Sequence, residues 1–208
     1  MAITGLIMVG FAVVHMLGNT AVFMGADAIN TYAATLQSLG VGLWGFRAVM
    51  LAAFVVHIWL GVSLTFENSS ARPVGYKQKE NLKTGVSATT MIYTGLLLGA
   101  FIIYHLLHYT VRVIDSSYKA MVLPDGHMDV FSMVTTGFGQ SFTVVVYVVA
   151  MIILLMHLSH GIQSLFQSLG LSNDKVQGYI EMAGKALAFV LLVGFAAVPL
   201  AVMFGIVH

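Results

Sequence analysis

The chain has 208 residues, of which 59% are hydrophobic and only 8% are charged, whereas soluble domains are roughly a quarter charged. Its net charge of +1 leaves no basic patch and excludes nucleic-acid binding. Because it has no cysteine, it lacks the ligands for an iron–sulfur cluster, a thiolate metal site or a covalently attached c-type haem. The composition indicates a membrane protein in which any metal or redox chemistry depends on the eight histidines.

A helix crosses a hydrocarbon core of roughly 30 Å with about 20 apolar residues, and five stretches of the chain are long enough. In chain order they cover residues 2–24, 43–66, 87–112, 140–166 and 185–207. They are continuously apolar rather than alternating, which favours helices over the strands of a β-barrel. We therefore predict an all-α integral membrane protein, one membrane domain over residues 1–208, with five transmembrane helices in an antiparallel bundle. We identify no internal repeat.

The loops between these stretches differ in charge. The second loop carries Arg72, Lys77, Lys79 and Lys83, whereas the first loop carries no Lys or Arg. The positive-inside rule then places the second and fourth loops in the cytoplasm, the N-terminus inside and the C-terminus outside. The third loop, residues 113–139, is longer than most connections, and we expect it to fold over the outer end of the bundle.

Six histidines lie inside the apolar stretches, where an ionisable side chain is costly and usually marks a ligand, a relay or a pathway. They are His15, His57, His105, His108, His157 and His160. His15 and His105 fall in the outer half of the membrane, and His57 and His157 fall in the inner half at matching depth. Two pairs of imidazoles, with one histidine from each of four helices, fit the axial positions of two stacked haems. Without cysteine, such haems are b-type.

Spacing alone does not choose between the neighbours His105 and His108, or between His157 and His160, because residues three apart share a helix face. The second member of each couple lies nearer the membrane surface. There it bonds a haem propionate or a quinone, or is simply a polar residue of the membrane interface.

Two other interpretations of the histidines remain open. They could form interhelical hydrogen bonds in a structural anchor, or belong to a proton relay or a metal transporter. Transport sites usually add carboxylates, which occur here only near the ends of the stretches. Gly18, Gly61 and Gly161 each follow a histidine by three or four residues. Glycine allows a flat macrocycle to approach the backbone, although it is also common where membrane helices pack closely.

Five short segments carry a resemblance to a known family. They are VHMLGN at 14–19, GADAIN at 25–30, VHIWLGV at 56–62, YHLLHY at 104–109 and MHLSHGIQS at 156–164. In this order they resemble the dihaem cytochrome b subunit that anchors succinate:quinone oxidoreductases and quinol:fumarate reductases, of the succinate dehydrogenase cytochrome b558 type. The resemblance covers nearly the whole chain and includes all four helices that carry paired histidines.

The resemblance implies one axial ligand from each of the first four helices and none from the fifth. It pairs His15 with His105 at an outer haem b, and His57 with His157 at an inner one. It also implies a prokaryotic inner (cytoplasmic) membrane, and a flavoprotein subunit and an iron–sulfur subunit as partners on the cytoplasmic face. Residues 72–83 and 173–185 are candidate docking surfaces. The partners would interconvert succinate and fumarate, and this chain would pass electrons between the iron–sulfur subunit and a membrane quinone, with menaquinone expected.

Two arginines and two polar residues near the outer face complete the predicted site. Arg47 and Arg112 stand where a guanidinium can pair with a haem propionate, or can extend to the lipid headgroups. Family members with an outer quinone site have an acidic residue in the loop between the first two helices, and the matching position here is Gln37. Gln37 can hydrogen-bond a quinone carbonyl but cannot exchange its proton, so Asp27 or a propionate is the alternative proton donor.

Overall fold

The computed structural model describes residues 1–71 and 86–208. The cationic part of the predicted docking surface, residues 72–83, lies outside the described residues. The described residues form eight α-helices: α1 Ala2–Asn19, α2 Ala26–Ser38, α3 Val41–Ser70, α4 Val86–Thr89, α5 Met91–His105, α6 Val130–Phe138, α7 Ser141–Ser168 and α8 Gln177–Met203. A 3-10 turn, Thr20–Met24, extends α1, and a π-helical turn, Leu106–Thr110, extends α5.

Among the described residues, five helical segments are long and apolar enough to cross a membrane. They are Ala2–Met24, Val41–Ser70, Met91–Thr110, Ser141–Ser168 and Gln177–Met203. This confirms the predicted all-α membrane bundle and its five spans. The fifth span begins earlier than predicted, because the polar turns after Gln177 continue the helix. An exposed ion pair one turn apart, between Lys185 Nζ and Glu181 Oε1 at 2.6 Å, supports these turns.

Two short helices occupy segments predicted as loops. Helix α2 lies between Gly25 and Gly40, whose φ angles of 97° and 52° belong to the left-handed region that favours glycine. Helix α6 begins after Asp129, whose carboxylate accepts hydrogen bonds from the backbone N–H and the hydroxyl of Ser132 at 3.0 and 2.6 Å. Aspartate is among the preferred residues at this capping position.

Asn30 joins α2 to α6. Its side chain, only 7% exposed, donates to Asp129 Oδ1 at 3.1 Å and accepts from the backbone N–H of Phe131 at 3.0 Å. The third loop therefore packs onto one end of the bundle, as expected, and we call this the α2/α6 end. The opposite end, which carries Met1 and α4, is called the Met1 end.

The spans differ in how deeply they are buried. In its most apolar window α8 is 39% buried, whereas α3 is only 6% buried. One core cluster joins α1, α7 and α8 through Met16, Leu158, Ile162, Ala188 and Leu191. A second lies at the α2/α6 end and includes Val22, Ile29, Phe138, Val144, Tyr147 and Val202. Helix α3 is consequently peripheral and leaves most of its apolar surface to lipid or to another protein.

Removing the Asp129 carboxylate is expected to loosen the α2/α6 end. Burial raises the pKa of Asp129, but hydrogen bonds from Ser132 and Asn30 outweigh it and hold the pKa below its usual value. The stabilisation is therefore present above the unfolded pKa of about 3.9 and is lost as the pH falls through the lower folded-state value. We expect Asp129→Ala to cost about 1 kcal/mol at pH 7, measured by unfolding in detergent. Asp129→Asn keeps a capping oxygen, so a loss as large as that of the alanine variant would contradict this account.

Candidate functional site

His57 of α3 and His157 of α7 line one cavity of about 250 Å³ at the Met1 end. Met1, Met91 and His160 are among its other lining residues. These two histidines come from helices that run in the same direction and are separated by α1 and α5. The structure thus brings together the pair that was predicted at the inner level of the bundle.

Both rings are held from a neighbouring helix. Thr4 Oγ1 of α1 lies 3.0 Å from Nδ1 of His57, and Thr94 Oγ1 of α5 lies 3.2 Å from Nδ1 of His157. In the part of the chain that the structure describes, Nε2 of neither ring has a hydrogen-bond partner. Metal-bound histidines commonly use one nitrogen for the metal and the other for an orienting hydrogen bond, and the contacts of both rings are compatible with that pattern.

Glycines allow the supporting helices to approach these rings. A Cβ atom built on Gly5 would lie 3.4 Å from Cε1 of His57, and one on Gly95 would lie 3.2 Å from Cε1 of His157. Of the predicted glycines, Gly61 lines the cavity. At Gly18 the structure agrees with the second interpretation, close helix packing, because the ring of Tyr32 from α2 lies where a Cβ atom would stand. Gly18 thus serves helix packing.

These contacts expose an internal repeat that the sequence analysis did not identify. Positions 90 residues apart on α1 and α5 correspond: Met1 and Met91, Thr4 and Thr94, Gly5 and Gly95, Phe11 and Phe101, and His15 and His105. Positions 100 residues apart on α3 and α7 also correspond: His57 and His157, and Gly61 and Gly161. Met1 meets Gly61 as Met91 meets Gly161, with methyl distances of 3.6 and 3.9 Å to the built Cβ. The two halves of the bundle therefore repeat the same contacts.

The second pair of histidines meets in the half of the bundle nearer the α2/α6 end. The ring centres of His15 and His105 are 5.9 Å apart, with their planes at 77°, and Phe11 stacks on His15 at 5.2 Å. Two imidazoles on opposite faces of one metal ion have ring centres about 6 Å apart, since each metal–nitrogen bond is about 2 Å long. The separation suits a shared metal as well as direct edge contact between the rings.

A tyrosine network distinguishes His105 from His108. Tyr147 Oη lies 3.1 Å from Nδ1 of His105 and 3.2 Å from Nδ1 of His108. His108 is 3% exposed, and its Nε2 lies 3.2 Å from Tyr118 Oη. Both nitrogens of His108 are thus occupied by phenols, whereas Nε2 of His105 has no such partner among the described residues. The geometry leaves Nε2 of His105 available and places both nitrogens of His108 beside tyrosines, and a contact of His108 with a propionate or a quinone stays a prediction.

Tyr118 closes this network from the third loop. Its side chain is fully buried, and burial raises its pKa to about 12, so the phenol is neutral and retains its proton. Sequence reasoning missed both Tyr118 and Tyr147. Neither stands in a motif, and Tyr147 lies within an uninterrupted apolar run that gives no sign of a polar contact.

His160 differs from His157 in its surroundings. It lines the same cavity, but within residues 1–71 and 86–208 no hydrogen bond to its ring is found. His157, by contrast, is held by Thr94 and touched by the Gly95 backbone. The supporting contacts therefore favour His157 as the ligand and leave His160 at the polar edge of the cavity.

The two predicted arginines are placed differently. Arg112 follows the π-helical turn with a φ of 58°, a conformation usually taken by glycine at helix ends. Its Nε is buried without a hydrogen-bond partner, as is Oη of the nearby Tyr109. Such orphaned donors suit an acidic group that is not part of the chain, so Arg112 fits the predicted propionate contact. Arg47 is exposed and lies 4.9 Å from the ring centre of Trp44, so its own propionate contact stays a prediction.

The predicted quinone residues do not converge. Asp27 stands in the first turn of α2 and Gln37 near its end, about 15 Å apart at 1.5 Å per residue. Both side chains are exposed. The structure offers no common site for them, and their part in quinone binding stays a prediction.

Within the described part of the chain, no three His, Asp or Glu side chains come together as a metal site. A bare ion generally needs four or more ligands, whereas a porphyrin brings four of its own and asks the protein for only two. We found no match to this chain among models of protein families, curated proteins or solved structures. The functional conclusion therefore depends on the geometry and on the resemblance of the histidine segments.

Proposed function

We propose that this chain is the dihaem cytochrome b membrane anchor of a succinate dehydrogenase or fumarate reductase complex. His57 and His157 hold one b haem, and His15 and His105 hold the other. The observation that carries the proposal is the pairing of these four imidazoles at two levels. At three of them Nδ1 is hydrogen-bonded to a hydroxyl, which leaves Nε2 for iron.

The donor set supports haem over a bare metal. Each level offers two imidazoles, and neutral imidazole is a suitable ligand for iron. The cavity at the Met1 end, about 250 Å³, is slightly smaller than usual small-molecule pockets of roughly 300–1,000 Å³. Met1 and Met91 line it, and these unbranched, flexible side chains can move aside for a larger occupant.

The chemistry of the site follows from its ligands. When bound, a b haem supplies a one-electron couple at its iron. His57 with His157, and His15 with His105, would each give the iron two imidazoles and leave it no site for oxygen or substrate, so the chain would transfer electrons and make no bonds itself. The surrounding helices exclude water and hold the rings in place.

The proposed partners follow from the resemblance. A flavoprotein subunit and an iron–sulfur subunit bind at the cytoplasmic face and interconvert succinate and fumarate. Electrons pass between the iron–sulfur subunit and a quinone, expected to be menaquinone, through the two levels of histidines. An electron that crosses the membrane responds to its potential, with about 2.3 kcal/mol per charge for each 100 mV.

A structural anchor is the second candidate function. His108 supports it, because both of its ring nitrogens bind tyrosines and thereby tie α5 to α7 and to the third loop. If all the histidines acted in this way, the purified protein would be colourless.

Reduction by a quinol tests the proposed function. The chain is purified with whatever subunits accompany it, oxidised, and mixed with a low-potential menaquinol analogue. We expect a reduced b-haem absorption band to appear, and succinate to produce the same band when the flavoprotein subunit is present. A protein that shows no haem band under any reductant would contradict the proposal, as would haem that neither quinol nor succinate reduces.

A further inference from the structure

Two threonine hydroxyls at the Met1 end each lie between a histidine nitrogen and a carbonyl oxygen of their own helix. Thr4 Oγ1 lies 2.8 Å from the carbonyl oxygen of Met1 in its own helix. Thr94 Oγ1 lies 3.1 Å from the carbonyl oxygens of both Thr90 and Met91. A hydroxyl has one proton, and a carbonyl oxygen can only accept. Each threonine therefore donates to its own backbone.

The same hydroxyl oxygens must then accept from the histidines. Thr4 lies 3.0 Å from Nδ1 of His57, and Thr94 lies 3.2 Å from Nδ1 of His157. With the threonine protons already used, each ring nitrogen is the donor, so both imidazoles carry their proton on Nδ1. A neutral imidazole has a single N–H, and Nε2 of each ring therefore presents a lone pair to the cavity.

Each threonine is followed by a glycine that lies against the same ring. Gly5 is at the edge of His57 and Gly95 at the edge of His157. A Cβ atom at Gly95 would lie closer than usual to the His157 ring, whereas one at Gly5 would be in ordinary contact with His57. Each threonine thus hydrogen-bonds a histidine of the neighbouring helix, and the glycine after it leaves room for the ring.

We infer that Thr4-Gly5 and Thr94-Gly95 are a duplicated positioning device, in which the two threonine hydroxyls hold His57 and His157 as Nδ1–H imidazoles ready to bind iron through Nε2. The inference rests on the proposed function and adds to it the residues that prepare the ligands. Their repeated placement on α1 and α5 gives the two axial ligands equivalent surroundings.

The device is confined to this level. At the other level Tyr147 serves His105 and His108 together, and its proton is not committed to a backbone carbonyl. No hydrogen bond to the ring of His15 is found in the described residues. The two haems are therefore expected to respond differently to loss of the threonine hydroxyls.

The experiment compares Thr4→Val and Thr94→Val with Thr135→Val in the purified holo-complex. Thr135 of α6 is a matched control, because its hydroxyl lies 3.0 and 3.2 Å from the Phe131 and Ser132 carbonyl oxygens of its own helix, as that of Thr94 does, and it does not line the cavity. The readouts are haem retention, the midpoint potential of each haem and the low-temperature electron paramagnetic resonance spectrum.

We expect both valine variants at 4 and 94 to hold one haem about 10- to 100-fold more weakly, as other losses of a ligand's hydrogen-bond partner do. Loss of the hydrogen bond also makes the imidazole a weaker donor, so that haem becomes easier to reduce. A tenfold change in its redox equilibrium corresponds to 59 mV for one electron. The Thr135→Val variant and the second haem should not change.

Serine variants decide whether the hydroxyl is responsible. Thr4→Ser and Thr94→Ser keep the hydroxyl and should retain the wild-type potential and spectrum, even if the valine variants do not accumulate. Serine variants that shift like valine variants would overturn the inference, as would valine variants at 4 and 94 indistinguishable from Thr135→Val. Wild-type protein without haem would instead overturn the proposed function itself, so the two failures are distinguishable.

Discussion

Replacing His157 with alanine is expected to lower the haem content from two b haems per chain to one. The variant removes one of the two imidazoles at the Met1 end, so a haem proposed to depend on both would lose half of its protein ligands there. His160→Ala is the matched control, since it removes the same side chain one helical turn away from the same cavity. Haem content is measured as the pyridine haemochrome against protein concentration.

His160→Ala should keep both haems, because Thr94 and Gly95 support His157 and not His160. The reverse pattern, with haem lost from the His160 variant and kept by the His157 variant, would show that the ligand has been assigned to the wrong member of the couple.

His105 and His108 are expected to give opposite results when each is replaced by alanine. His105→Ala should remove the haem at the level nearer the α2/α6 end with little loss of stability. His108→Ala should keep both haems but leave the buried Tyr118 hydroxyl without its partner, whereas Tyr147 keeps His105. Each buried polar group left unpaired costs about 1–3 kcal/mol, so this variant should unfold in detergent at a clearly lower temperature.

Haem content and thermal unfolding, measured on the same preparations, separate the two roles. Loss of one haem in the His108 variant without a change in unfolding temperature would mean that His108 is a ligand. In that case its contacts with the two tyrosines would not describe the functional protein.

The sequence predicted the five spans because each is a long apolar run, a signal that depends on composition rather than on contacts. Helix α2 and helix α6 were missed because long apolar runs identify only the helices that span the membrane, and these two short helices lie between the spans. Asp129 with Ser132 three residues later is nevertheless a capping signal in the sequence. The early start of α8 was missed because its first turns are polar.

The pairing of histidines could be predicted from depth, since position along a span fixes the level of a residue in the membrane. The residues that hydrogen-bond the histidines could not be predicted. A single threonine in an apolar helix gives no signal that it contacts another helix, and Tyr147 lies inside an apolar run. Comparing residues 1–15 with 91–105 would have aligned Thr4-Gly5 with Thr94-Gly95 and indicated that they are equivalent. The sequence does not show whether Gly18 lies against Tyr32 or against a macrocycle, because the contact with Tyr32 depends on how α2 folds back onto α1.

The most direct test of the pairing is the haem content of the unaltered full chain, purified from membranes of a haem-sufficient host. We predict two b-type haems per chain, released without covalent attachment because the chain has no cysteine, and an oxidised spectrum typical of iron with two imidazole ligands. A chain that folds, stays in the membrane and contains no haem would contradict the account.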